Sequence, residues 1–159
     1  MSAAASSELA RFAYERDMWT RADFPYQQAS LATFRGRLDE ALKWASIADE
    51  AGERSGHQEA AIFARFGRGG IRGYAAGDYR LIEEYLRVTI EACEAIGSVW
   101  LFTVWLVLGS VLTYRGLTEA AKEACRRGLR LQPRSTFYDG YGQTVLAIAG
   151  AYAEDPDAQ

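Results

Sequence analysis

The chain has 159 residues, 49% hydrophobic and 25% charged, with 18 Lys and Arg against 21 Asp and Glu for a formal net charge of −3. That length suits one ordinary domain with a sizeable core, and because Glu154, Asp155 and Asp157 crowd the C-terminus, the body is near neutral and exerts no bulk field on nucleic acid or acidic lipid. Cys93 and Cys125 form no close pair and follow no metal-ligand spacing, which argues against a disulfide framework and makes a reduced cytoplasmic location the default.

Residues 1–6 read as a disordered lead, and the stretch from Met1 to Ser7 has no basic cluster followed by an apolar run, so it is not read as a secretory signal. The first predicted helix runs from Ser7 to about Thr20, with Leu9, Phe12, Ala13 and Trp19 as its apolar stripe. Asp23 is expected to cap a second helix with Pro25 in its first turn, carrying Ala29, Ala32 and Phe34 to a break at Arg35-Gly36. The return helix is predicted from Leu38 to Ala51, with Ala41, Leu42, Ala45 and Ala48 inward and Gly52 as a stop. Pro25, Pro133 and Pro156 are all expected between elements or in a first turn.

Ser55-Gly-His-Gln58 reads as a capping box for a helix reaching Ala76, after which Gly77-Asp78 turns the chain. The next helix, Tyr79 to Ile96, should bury Ile82, Leu86, Thr89, Ile90 and Cys93 while Arg80 with Glu84 and Arg87 with Glu91 pair on its exposed side; Gly97 ends it. Ser98 to Tyr114 carries no charge and two tryptophans, at the bottom of the roughly 17–25 residues a membrane span needs. It is read instead as a helix buried on two sides. Thr136 to Asp139 caps a last helix that ends near Gly150 and Tyr152.

Within this order one stretch carries a repeat signature: Trp105, then Leu108-Gly109, Leu112, Ala121, Cys125, Gly128 and Pro133. It resembles the tetratricopeptide pattern, with Leu112 and Cys125 at positions usually aromatic. Gly109 is expected to admit a closely crossing partner helix that Ala121, Cys125 and Gly128 keep thin, with Arg115-Gly116 as the break and Thr118 as the cap. Breaks at Gly36, Gly77, Gly116 and Gly150 recur every 34–41 residues. The resemblance implies an all-α fold, a right-handed superhelix of stacked antiparallel hairpins over residues 7–153, followed by an acidic tail, 154–159. The segments Arg35-Gly-Arg-Leu-Asp-Glu-Ala41 and Arg115-Gly-Leu-Thr-Glu-Ala120 are also similar to those in helical arrays of large ATP-dependent regulators carrying a LuxR-type DNA-binding domain.

Little in the sequence points to catalysis. His57 is the only histidine, read as a surface or capping residue, and both cysteines read as small core residues; no catalytic residue, cofactor or metal is expected. Gly67-Arg-Gly-Gly-Ile-Arg-Gly73 follows no strand, so it is read as a helix whose Gly70, Gly73 and Gly77 allow close packing. Alternatively Arg65, Arg68 and Arg72, with Arg35, hold a carboxylate or phosphate. Lys122, Arg126, Arg127, Arg130 and Arg134 form a basic stripe read as complementing a helix dipole.

The resemblance implies that the hairpins' first helices line a concave groove through Tyr26, Ser30, Thr33, Arg68, Ile71, Arg72, Tyr74, Thr103, Leu106, Ser110, Thr113 and Tyr114. Such a surface suits a peptide with an acidic or C-terminal carboxylate group, or a small aromatic anion. The last helix presents an apolar stripe, Phe137, Tyr138, Tyr141, Val145, Ile148 and Tyr152, expected to support a homodimer, with tucking back onto the array as the alternative. The leading expectation is a non-catalytic scaffold for a protein or peptide partner, without direct nucleic-acid or membrane binding. A small-molecule sensor domain follows, and an enzyme third.

Overall fold

The computed structural model describes residues 18–55, 58–131 and 136–154. Every regular element among them is helical: α1 (Met18–Phe34), α2 (Leu38–Ser55), α3 (Gln58–Ala76), α4 (Tyr79–Ile96), α5 (Leu101–Tyr114), α6 (Thr118–Leu131) and α7 (Thr136–Glu154). Among the described residues no helix is long and apolar enough to cross a membrane. The expectations for residues 1–6, for Leu9, Phe12 and Ala13, for His57, for Pro133 and Arg134 and for residues 155–159 lie outside the described residues.

Glycines in the left-handed region punctuate the helices at Gly36, Gly77, Gly97 and Gly116. At Gly36 the backbone closes as a six-to-one turn, with Arg37 N donating to Ala32 O and Gly36 N to Thr33 O. Leu117 and Gly116 repeat those bonds to Leu112 O and Thr113 O. Such a turn satisfies the last carbonyls of a helix and needs φ near +70°, which glycine adopts without the Cβ penalty. Asp78 caps α4 by accepting from Arg80 N and Leu81 N, and α4 keeps the predicted bounds and buries the predicted Ile82, Leu86, Thr89, Ile90 and Cys93.

The chain divides into two compact units, Met1–Gly77 and Asp78–Gln159. In the first, α1, α2 and α3 pack against one another in all three pairs. Its core is built on Ala29, Ala32, Ala41, Ala45 and Ile71, with Leu42 and Trp44 against it. Phe24 meets Trp44 edge to face, ring centroids 6.0 Å apart. The Tyr26 ring lies where a Cβ on Gly67 would stand, 2.5 Å from it, so α1 and α3 approach closely at that point.

In the second unit α4 packs on α5, α5 on α6, and α7 on both α5 and α6. A Cβ on Gly109 would collide with Cys125 Sγ and crowd the Ala121 carbonyl, and one on Gly128 would meet Leu106 Cδ2 at 2.8 Å and Phe102 O at 2.9 Å. The two helices therefore touch through missing side chains on both sides, which keeps packing dense without large residues at the crossing. A Cβ on Gly142 of α7 would meet Leu129 Cδ2 at 2.6 Å and Leu106 Cδ2 at 3.2 Å.

Several expectations are corrected. Pro25 lies inside α1 rather than in a first turn, so Asp23 is not its cap. Pro25 is fully buried, and that burial offsets the hydrogen bond a proline removes. Gly52 is a buried residue within α2, which runs on to Ser55, so Ser55 ends a helix instead of opening a capping box. Thr118 begins α6, and its hydroxyl donates back to Gly116 O, 3.4 Å away, instead of accepting from the helix. Gly150 sits within α7 and makes no break. Gly67, not Gly70, is where α3 meets a neighbour; a Cβ on Gly70 would touch only Phe66 of its own helix, at ordinary distance. Arg87 pairs back to Glu83 rather than on to Glu91.

Candidate functional site

The α2–α3 face of the first unit gathers most of the charge that sequence reasoning singled out. Arg65, Arg68 and Arg72 recur three and four residues apart on α3, and Asp49 and Glu53 recur four apart on α2, so the two sets form a ladder where the helices meet. Arg65 Nη2 reaches Glu53 Oε1 at 3.0 Å, and Arg68 Nη1 reaches Asp49 Oδ2 at 2.5 Å. Asp49 is only 5% exposed. Its Oδ1 is buried with no hydrogen-bond partner among the described residues. An unpaired acceptor of that kind costs about 1–3 kcal/mol.

Two arginines of the anion-site reading, Arg65 and Arg68, are thus bound to carboxylates of their own unit, and an incoming anion would have to displace those carboxylates at them. Arg72 is exposed on the next turn, and Tyr74 is 45% exposed two residues on. The two side chains leave α3 on different sides, Arg72 on the side of Arg65 and Arg68 and Tyr74 on the side of the buried Ile71. Arg35 is exposed at the end of α1.

The remaining first-helix residues divide into hydroxyls turned inward and side chains locked in the core. Ser30 Oγ donates to Tyr26 O, Thr33 Oγ1 to Ala29 O, Ser110 Oγ to Leu106 O and Thr113 Oγ1 to Gly109 O. Thr103 Oγ1 donates to Trp100 O at 2.7 Å. Each hydroxyl bonds a carbonyl of its own helix, the usual way such residues are accommodated mid-helix. Leu106 is 1% exposed and Ile71 is buried in the alanine core, so neither lines an open surface. Tyr26 is half-buried against Gly67. Tyr114 is 66% exposed, with the Tyr79 ring 5.5 Å away.

Ion pairs also hold three cations of the basic stripe of α6. Lys122 bonds Glu119 at 2.9 Å, Arg130 bonds Glu123 at 3.1 Å, and Arg127 bonds Glu94 of α4 at 2.9 Å while its guanidinium stands 4.3 Å from the centre of the Trp105 ring. Lys122 holds the Glu119 carboxyl below its ordinary range. Lys122, Arg127 and Arg130, paired inside the unit, offer little to a phosphate backbone, whereas Arg126 is exposed. Trp105 Nε1 is buried without a partner among the described residues.

On α7, Val145 and Ala149 are buried within the unit while Ile148 is exposed, so Val145 does not belong to an outward stripe. The helix packs on α5 and α6. Phe137, Tyr138, Tyr141 and Tyr152 have side chains outside the described set. No group of three or more His, Cys, Asp or Glu that could hold a metal occurs among the described residues. Cys93 and Cys125 are buried and outside any disulfide among the described residues, and burial pushes the Cys125 thiol up to about 11, making it a poor nucleophile at neutral pH.

Sequence reasoning missed Asp49, Glu83 and Glu94. Glu83 receives both Arg87 and, from α5, Arg115. Pairs between helices depend on how each helix is rotated about its axis, and a spacing rule for one helix carries no information on that. The chain matches no protein-family model and no curated protein.

Proposed function

We propose that this protein is a non-catalytic, tetratricopeptide-like scaffold, its helical hairpins stacked as a right-handed superhelix, that binds a peptide or protein partner through the outward side of its first helices. The observation that carries this reading is the placement of Arg72 and Tyr74. Both are exposed on α3, while Arg68, one turn earlier, is anchored to Asp49. The exposed guanidinium of Arg72, on the side of α3 where Arg68 is already held by Asp49, suits a backbone carboxylate or acidic side chain, while Tyr74, two residues on and so on the other side of the helix, offers a separate exposed aromatic ring. Such a surface needs no acid–base pair and no nucleophile.

The test is an array of peptides ending in a free carboxylate, probed with the full chain and with Arg72→Glu and Tyr74→Ala. Both residues are exposed, so thermal melting should stay within about 0.5 kcal/mol of the parent. The proposal expects a defined set of acidic peptides to be retained and Arg72→Glu to weaken them about tenfold, a loss near 1.4 kcal/mol. Retention indifferent to Arg72→Glu, or no peptide retained at all, would remove the α3 face from consideration.

A further inference from the structure

We draw no further inference here: the strongest candidate, the exposed edge of α1 at Leu31 and Arg35, whose counterparts Val111 and Arg115 are buried and bonded to Glu83 when the hairpins α1–α2 and α5–α6 are matched residue for residue at a separation of eighty, from Tyr26 and Leu106 through Gly36 and Gly116 to Ala45 and Cys125, carries nothing because nothing in the structure shows what covers it.

Discussion

The α1–α2 and α5–α6 hairpins share one backbone design but are filled differently. At the helix crossing the first sets Ala29 and Ala45 in one cluster, while the second sets Gly109 against Cys125. The volume removed from one helix reappears on the other, so the spacing can be kept with either set. Around that crossing the difference is larger. Of the nine largest fully buried side chains among the described residues, Pro25 alone belongs to the first unit; Ile82, Leu86, Cys93, Leu106, Leu108, Val111, Leu112 and Cys125 belong to the second. An alanine core lets helices approach closely but removes little apolar surface per residue, and branched side chains contribute about 1.5–3 kcal/mol each when buried. One hairpin geometry thus accepts two fillings, and the second unit is expected to be the more firmly held.

Local stability should show that contrast most plainly. Native-state hydrogen exchange is expected to be at least about tenfold faster through α1–α3 than through α5, a gap of about 1.4 kcal/mol or more in opening free energy. Equal protection would mean that the alanine core is as well held as the leucine one.

Truncating the paired residues comes next. Leu106→Ala should cost about 2–5 kcal/mol in chemical denaturation, because Leu106 fills the space left by both Gly128 and Gly142. Its counterpart Tyr26 is half-buried and meets Gly67 alone, so Tyr26→Ala should cost less, about 1–2 kcal/mol. A reversed order would break the equivalence of the two positions.

Polar filling of the first unit gives a smaller effect. Arg68→Ala should cost about 1–3 kcal/mol by leaving the Asp49 carboxylate buried and unpaired, with the partial exposure of Arg68 keeping the loss at the lower end. Asp49→Leu with Arg68→Met should recover that loss, since Leu129 occupies the matching position on α6 as an apolar contact. Failure of the double variant to recover would show that the ion pair is needed to position α3.

The weakest expected signal is pH dependence. The Cys125 thiol is raised from 9.0 to about 11 in the folded chain. Below 9 the thiol is protonated whether folded or unfolded and contributes no slope. Between 9 and 11 the unfolded thiol ionises first, so the unfolded state binds fewer protons and stability falls as pH rises. Cys125→Ala should remove that part of the alkaline fall, at most about 1.4 kcal/mol per pH unit. Ala45, its counterpart, has nothing to titrate.

Much of the helical order was legible because it is written locally. Glycine at Gly36, Gly77, Gly97 and Gly116 marks turns that need a left-handed residue, and the 3.6-residue spacing of Ile82, Leu86, Ile90 and Cys93 fixes one face of α4. The Gly109 crossing was legible from a repeat signature spanning both helices. Pro25 and Gly52 were misread as punctuation because tertiary burial overrode their local preference. At the candidate site, the exposure of Arg72 and Tyr74 followed from their places on α3, whereas the capture of Arg68 by Asp49 did not. Leu106 and Ile71 were placed on an open surface because the faces of α5 and α3 that α7 and α1 cover depend on contacts with distant parts of the chain.

The central claim, one hairpin filled in two ways, is tested most directly by a double-mutant cycle on Gly109→Ala and Cys125→Ala, with stability read by urea denaturation. Gly109→Ala alone drives a methyl into Cys125 and should cost about 1–3 kcal/mol. Adding Cys125→Ala recreates the Ala29 and Ala45 pair of the first hairpin and should return at least about 1 kcal/mol of that loss. Strictly additive losses would contradict the claim.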